Sequence, residues 1–275
     1  MSSVLYHIPT TMIETYRGRT IIVRSHTSAA FSQLFLEEDL KHLAYIQFLA
    51  FPDDIDTLVH WGIGVPVELF MSHPETEFPR LYRYSKLLDT HPVRVAIPVV
   101  PGFSKAVKVA GALHFAVKLE TGQPDHAVIE EMTRVLDFYL HHSTVSQPIE
   151  YFQSMLLAFY HHEPISLWTI QEEDPAYIRY ITDQGEETIS RRFVGISMKA
   201  DIGSFVERFT QELLDEKREC SGCEFLEHCG GYFKWPQKEF RCEGVKTLFH
   251  ALKDAARELR NDLGIFRESR EPKQP

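Results

Sequence analysis

Four cysteines near the C-terminal end are the residues whose types and spacing most clearly predict chemistry. They are the only cysteines in the 275-residue chain, and they follow the pattern Cys220-x2-Cys223-x5-Cys229-x12-Cys242. A C-x2-C pair forms a tight loop that places two thiolates close together, and two further thiolates can complete a tetrahedral set. Four thiolates suit a zinc ion and a 4Fe–4S cluster about equally well, so the donor set alone leaves both open.

Disulfides and unligated buried thiols are the alternatives to a metal centre. The first ten residues contain no charged segment followed by an apolar one, so we expect no export signal and a cytoplasmic location. No stretch approaches the roughly 20 apolar residues that a membrane span needs. In a reducing compartment, a tight group of cysteines is more often a metal or redox site than a pair of disulfides. We therefore predict one metal centre at the four cysteines.

The composition is that of an ordinary globular protein. Hydrophobic residues make up 44% and charged residues 25% of the chain, which suits one large domain or a domain with a smaller appendage. The formal net charge is −10 and the pI is about 5.8. Such an acidic chain is poorly suited to non-specific binding of phosphate backbones, so we expect neither nucleic acid nor a membrane as its partner.

Residues 18–120 alternate between β-rich runs and helical patterns. Several runs are nearly continuous in Val, Ile and Phe, which is typical of parallel strands covered on both faces. The predicted strands are 19–25, 44–51, 65–71, 93–100 and 114–120, and the predicted helices between them are 28–42, 53–61, 75–89 and 103–112. Five βα units in series predict an α/β fold with a parallel sheet or a partial barrel.

The pattern changes near residue 165. Two longer helices end the first part, and an extended segment, a hairpin turning at Gly185, an amphipathic helix, the cysteine segment and a final helix follow. The ranges outside the cysteine segment are 125–142, 149–161, 165–171, 177–182 with 187–193, 203–217 and 245–263. We predict an α/β domain over 1–164, a small α+β metal-binding domain over 165–266 and a frayed polar tail over 267–275.

The surroundings of the cysteines resemble a known family. The stretch 219–232, ECSGCEFLEHCGGY, is similar to the C-terminal SPASM domain of radical S-adenosylmethionine enzymes, which modify ribosomal peptides and protein side chains. That domain has the pattern C-x(9–15)-G-x4-C, a gap, C-x2-C-x5-C-x3-C, a gap, and C, and it holds two auxiliary 4Fe–4S clusters. Its second cluster uses the positions that match Cys220, Cys223, Cys229 and Cys242, so the resemblance implies a 4Fe–4S cluster here.

The first auxiliary cluster of that family lacks its ligands in this chain. Phe233 stands at the x3 position after Cys229, and Ser190 stands at the x4 position after Gly185, where the family has cysteines. No cysteine lies upstream of Gly185. The resemblance therefore implies a hairpin frame that is kept and a first auxiliary cluster that is lost.

The radical-generating cluster is also without ligands. The family holds it with C-x3-C-x2-C in the loop after the first strand, and here the loop after the first predicted strand, 25–31, has no cysteine. The whole of 1–219 has none. His26 is the only metal-binding side chain of that loop and is interpreted as a surface or capping residue. We expect no S-adenosylmethionine cluster.

The resemblance is detailed over 176–262 and only architectural over 18–165. It implies a degenerate member that keeps a partial barrel and a SPASM-like domain and acts as an accessory subunit of a peptide- or protein-modifying system. Its cluster would serve structure or electron relay, and its partners would be a radical S-adenosylmethionine or other maturation enzyme, a precursor peptide, or both. We do not expect radical chemistry from this chain alone. A free-standing enzyme that uses the barrel mouth and a zinc-stabilised binding scaffold remain alternatives.

Several other polar and aromatic residues receive structural interpretations. The histidine pairs 141–142 and 161–162 are predicted to end helices, where they complement the helix dipole. The acidic run 172–174 is interpreted as a solvated turn, and His228 as a neighbour of the cluster rather than a ligand. Aromatic residues are predicted to shield the metal centre and fill the space of the lost cluster: Tyr232, Phe233, Trp235 and Phe240.

Overall fold

A nine-stranded sheet organises the chain in the computed structural model, which describes residues 4–194 and 201–268. The strands are β1 (Leu5–Pro9), β2 (Ile21–Ser25), β3 (Leu43–Phe48), β4 (Val67–Phe70), β5 (Val93–Pro98), β6 (Ala116–Glu120), β7 (Ile149–Glu150), β8 (Ile178–Ile181) and β9 (Glu187–Thr188). Strands β1 to β7 lie in chain order, and every neighbouring pair is parallel. Such a series of βα units forms a partial barrel, which confirms the predicted α/β class.

Helices fill the connections and cover the outer face of the sheet. They are α1 (Phe31–Leu34), α2 (Ile55–His60), α3 (Pro74–Glu77), α4 (Leu81–Tyr84), α5 (Phe103–Ala112), α6 (His126–His141), α7 (Phe152–His161), α8 (Leu167–Ile170), α9 (Phe205–Asp215), α10 (Leu226–Cys229) and α11 (Glu243–Glu268). Asp54 and Asp125 cap α2 and α6, because their carboxylates accept hydrogen bonds from the backbone amides of Thr57 and Val128. The predicted helices 53–61, 103–112 and 125–142 are confirmed within two residues at each end.

The two faces of the sheet differ in polarity, since successive side chains of a strand point to opposite sides. The outer face, against the helices, is apolar and buried: Val23, Ile46, Phe48, Val67, Leu69, Val95, Ile97, Val117 and Leu119. The inner face carries the alternate residues: Arg24, Tyr45, Gln47, Glu68, Arg94 and Lys118. The barrel therefore has an apolar wall and a polar interior, whereas the sequence pattern predicts apolar cover on both faces.

Several elements differ between prediction and structure. Of the predicted helix 28–42, only α1 and the 3-10 segment Asp39–Lys41 form. The sequence pattern does not predict strand β1, since it is only five residues long and ends in proline, yet it lies inside the sheet between β2 and β8. The predicted helix 75–89 is divided into α3, α4 and two 3-10 segments, because Pro79 has no amide hydrogen for a continuous helix. The predicted extended segment 165–171 is wrong, because it contains α8, whose first turn is capped by the Ser166 hydroxyl.

The C-terminal part adds to the same sheet. Strand β8 pairs with β1 in parallel and with β9 in an antiparallel hairpin, so the predicted hairpin is confirmed. Helix α11 packs along α7 and α6. It extends to Glu268, two residues into the predicted tail, and the rest of that tail lies outside the described residues. No helix in 4–194 or 201–268 is long and apolar enough to cross a membrane.

Candidate functional site

The four cysteines line one cavity in front of α11. Cys220 lies in the 3-10 helix Glu219–Gly222, Cys229 is the last residue of α10, and Cys242 immediately precedes α11. Apolar side chains complete the wall: Phe225, Leu226, Phe233, Val245 and Phe249. The structure therefore brings together the side chains that the spacing alone assigned to one centre.

Two glycines shape the loop that follows Cys229. Gly230 and Gly231 both have left-handed backbone conformations, with φ of +55° and +74°. A Cβ atom on Gly230 would stand 3.0 Å from Trp168 Cδ1, and one on Gly231 would overlap Leu213 Cδ1. Only glycine allows this close approach, so the pair is needed for the path of the chain around the cavity.

Glu219 connects the two ends of the cysteine segment. Its carboxylate accepts hydrogen bonds from Lys234 Nζ at 2.6 Å and from Lys246 Nζ at 2.7 Å. It also accepts a hydrogen bond from the backbone amide of Cys242, at 3.3 Å. Although burial opposes ionisation, the two lysines lower the pKa of Glu219 to about 2. Two cations, Lys234 and Lys246, and one anion, Glu219, thus form an ion-pair cluster beside the cysteines.

The thiols are held in a medium that favours their neutral form. Burial raises the pKa of Cys229 to about 11, although the backbone amides of Phe233 and Tyr232 donate hydrogen bonds toward its sulfur. Burial likewise raises the pKa of Cys242 to about 12. A metal centre binds the thiolate forms, so binding of a metal at these cysteines would release protons.

The four cysteines line the wall of a common cavity. Within the described parts of the chain, no three His, Cys, Asp or Glu side chains stand close enough to hold a metal ion. Around a single zinc ion every thiolate lies about 2.3 Å from the metal. In a cubane cluster each thiolate binds a different iron, so the four sulfurs stand further apart. The donor set is therefore compatible in its chemistry with either kind of centre.

Ser190 and Phe233, at the positions where the family has ligands of its first auxiliary cluster, make contacts within the protein. Ser190 Oγ donates a hydrogen bond to Glu173 Oε1 at 3.0 Å, and the Phe233 side chain is fully buried. Trp235 stacks on Phe193, with ring centroids 4.7 Å apart. Aromatic side chains pack in this region, and their role in filling the space of a first auxiliary cluster stays a prediction.

The loops where a radical-generating cluster would be expected contain no cysteine. The structure shows that the predicted first strand is the second, β2, and that the first is β1. The loop after β1, residues 10–20, has no cysteine either. His26, in the loop after β2, is exposed. Whichever of β1 and β2 is taken as the first strand, the loop that follows it lacks the cysteines that the family uses for this cluster.

The polar inner face of the barrel forms a second candidate site that sequence reasoning missed. Glu172, from the turn after α8, reaches across the barrel. Its carboxylate accepts hydrogen bonds from Tyr45 Oη at 2.8 Å, Arg94 Nη2 at 3.0 Å and Lys118 Nζ at 2.9 Å. Burial opposes its charge, but Lys118 and Arg94 hold the pKa of Glu172 well below its usual range.

The interpretation of 172–174 as a solvated acidic turn is therefore wrong. Glu172 is bound inside the barrel, and Glu173 is an ion-pair partner of Arg192 at 2.8 Å. Asp174 accepts a hydrogen bond from the Ala176 amide and is the only one of the three with a local role. The left-handed backbone of Glu172, with φ of +60°, turns two neighbouring carboxylates to different partners. No periodicity in the sequence indicates such a turn.

The histidines occupy the places expected of them. His141 and His161 are the last residues of α6 and α7, as predicted. His228 packs against the Phe159 ring with centroids 4.8 Å apart, and its buried Nδ1 has no hydrogen-bond partner among the described residues.

Comparison with known proteins gives a likeness of fold without a likeness of sequence. No family model matches the chain, and no curated protein matches it. It is similar to the solved structure of native anSMEcpe with bound AdoMet and Cp18Cys peptide, with a TM-score of 0.61 and 11% identity. That match covers 94% of this chain and 99% of the other.

A second solved structure, native anSMEcpe with bound AdoMet, matches with a TM-score of 0.58 and 11% identity, over 94% of this chain and 100% of the other. At such identity the likeness shows the fold alone. The chain therefore shares the mixed α/β fold of these two structures across nearly its whole length.

Proposed function

We propose that this chain is an accessory protein of a peptide- or protein-modifying system of the radical S-adenosylmethionine type. It carries one auxiliary 4Fe–4S cluster on Cys220, Cys223, Cys229 and Cys242 and has no radical-generating centre of its own. The observation that carries the proposal is the cavity lined by all four cysteines of the chain. No thiolate is left over for a cluster inside a barrel whose fold otherwise suits one.

The spacing of the cysteines supports a cluster over zinc, because it matches the pattern of the second auxiliary cluster in the family that the segment resembles. The four thiols line one cavity, so they can act as one donor set. Lys234 and Lys246 line the same cavity and would offset the negative charge that four thiolates bring. When bound, a cluster with four cysteine ligands supplies a cross-link between chain segments and a one-electron relay.

A peptide partner is the second element of the proposal. The solved structure of similar fold contains a Cp18Cys peptide together with AdoMet. In this chain the inner face of the barrel is polar and partly open, so it offers a surface for a polar segment of a substrate. Glu172, Lys118 and Arg94 would fix the shape of that surface, because each is held by at least two partners.

The decisive experiment is anaerobic purification of the full chain followed by metal and sulfide analysis. We expect about four iron and four sulfide per chain and an absorbance band at about 400 nm. In Cys229→Ser, the iron, the sulfide and the absorbance band should all be lost. Ser221→Ala is the matched control in the same segment and should retain the cluster. One zinc per chain without colour would overturn the cluster and support the scaffold alternative.

The absence of radical chemistry is tested with the same preparation. The reduced protein is incubated with S-adenosylmethionine, and 5′-deoxyadenosine is measured. We expect no product from this chain alone. Product formation that survives Cys229→Ser would refute the accessory role and would favour a free-standing enzyme with an unrecognised site.

A further inference from the structure

The inner face of the barrel encloses a cavity of about 410 Å³ that is separate from the metal centre. Its lining comes from strands β1, β3, β4, β6 and β8 and from two segments of the C-terminal part, 171–173 and 189–192. The volume lies within the range of pockets that bind small molecules. The C-terminal part therefore closes the barrel over a ligand-sized space.

The acidic groups of this cavity already have cationic partners. Glu172 is bound by Lys118, Arg94 and the Tyr45 hydroxyl. Glu120 lies 3.0 Å from Lys118 Nζ. Glu173 is paired with Arg192 and accepts a hydrogen bond from Ser190. A cationic ligand would have to compete with these internal partners for every carboxylate.

The groups that remain free are mainly donors. Arg191 lines the cavity with its guanidinium over the Phe70 ring, 5.2 Å from the centroid, and it forms no ion pair within the described residues. Arg192 Nη2 is buried and donates no hydrogen bond to any described residue. The buried Thr121 Oγ1 and His7 Nε2 also line the cavity without a partner in that part of the chain.

Buried polar groups without partners are rare in folded proteins, and three residues with such groups around one cavity, beside the exposed Arg191, indicate a missing counterpart. The counterpart must offer acceptors and negative charge. A carboxylate or phosphate meets both needs, since guanidinium groups bind either one in bidentate geometry. The hydroxyl and imidazole then serve neutral polar atoms of the same molecule.

We propose that the barrel cavity binds an anionic group, a carboxylate or phosphate, through Arg191, with Arg192, Thr121 and His7 contacting the rest of the ligand. The group can belong to a free small molecule or to an acidic side chain of a peptide. The proposal does not depend on the accessory role or on the cluster, because none of these residues lines the cysteine cavity.

The test is calorimetric titration of the full, cluster-loaded chain with defined probes. Succinate, inorganic phosphate and a blocked tripeptide with a central glutamate represent the two sources, and succinamide is the uncharged control. We expect saturable binding of at least one anionic probe and none of succinamide. Binding of succinate or phosphate indicates a free molecule, and binding of the tripeptide alone indicates a peptide side chain.

The residue assignment is tested by two arginine variants. Arg191→Gln should weaken binding of the anionic probe roughly tenfold or more, since one charge-assisted bidentate contact is lost. Arg257→Gln, on the exposed side of α11, should leave binding unchanged. The proposal is overturned if no anionic probe binds, if succinamide binds equally well, or if Arg191→Gln retains the affinity of the unmodified chain.

Discussion

Glu172 Oε2 lies 2.9 Å from Lys118 Nζ, inside a barrel to which the two residues contribute from different halves of the chain. Lys118 belongs to strand β6, and Glu172 belongs to the turn that begins the C-terminal part. The contact closes the barrel from the side that β8 and β9 also cover. The C-terminal part thus contributes to the interior of the barrel as well as to the cysteine site.

Replacing Glu172 tests the importance of this closure. Glu172→Gln removes the charge that Lys118 and Arg94 share and weakens three hydrogen bonds, so we expect a loss of roughly 2–3 kcal/mol in the free energy of unfolding. Urea unfolding followed by circular dichroism measures it. Glu37→Gln, at an exposed position, is the control and should change stability by less than about 0.5 kcal/mol. Equal stabilities of the two variants would contradict the role of Glu172.

The pH dependence of stability should reveal His7. Burial, reinforced by Arg24, lowers the pKa of His7 to about 3. Above about pH 6.5 the ring is neutral in both states, and below it only the unfolded chain takes up the proton. Stability should therefore fall by up to about 1.4 kcal/mol per pH unit as the pH decreases from 6.5 toward 3.

The contribution of His7 is isolated by difference. The free energy of unfolding is measured between about pH 5 and 7.5 for the unmodified chain, His7→Gln and His26→Gln. His7→Gln should show a shallower decline, because its side chain does not titrate. His26→Gln, at an exposed position, should follow the unmodified chain. Parallel curves for all three proteins would show that His7 is not held neutral by the fold.

The cysteine site and the barrel interior differ in how far the sequence predicts them. The cysteines lie within 23 residues, and short loops fix their relative positions. The spacing alone therefore predicts that they form one site. The interior depends on pairing between distant segments: Tyr45 and Glu172 are 127 residues apart. The charged residues on β4 to β6 occur one or two per strand among apolar neighbours, so no local pattern marks them as one group.

Strand β1 illustrates the same limit. Leu5–Pro9 is short and ends in proline, so its own sequence does not mark it as a strand. Its strand conformation comes from hydrogen bonds to β2 on one side and β8 on the other. The hairpin β8–β9 was predictable because Gly185 marks its turn, with φ of +85°. Local turn chemistry is readable in the sequence, whereas pairing between remote strands is decided by the whole sheet.

Glu219 should control how firmly the proposed metal centre is held. It contacts both lysines of the cavity and the Cys242 amide, so Glu219→Gln loosens the position of two ligands without removing one. We expect metal affinity to fall about 10–100-fold, as for other partners of metal ligands. The rate of iron loss to a chelator under anaerobic conditions measures it. Glu227→Gln, on the exposed side of α10, should lose iron at the rate of the unmodified chain.

The left-handed glycine beside Cys229 allows a separation of backbone and ligand effects. In Gly231→Ala the new Cβ meets Leu213 Cδ1, and the alanine has to adopt φ of +74°, so both contact and conformation oppose the change. We expect a loss of roughly 2–4 kcal/mol in the free energy of unfolding. Gly222→Ala lies in the same segment with open space around its Cβ and should be nearly neutral.

Measuring both glycine variants with and without bound metal connects this loop to the site. If Gly231 shapes the path around the cavity, Gly231→Ala should also lower the iron content per folded chain, while Gly222→Ala should not. A Gly231→Ala protein of reduced stability but full iron content would show that the turn serves packing against α9 alone. Helix α9 carries Leu213, whose side chain lies against the backbone of Gly231. Because the helix is so close, a residue with a Cβ atom does not fit at position 231.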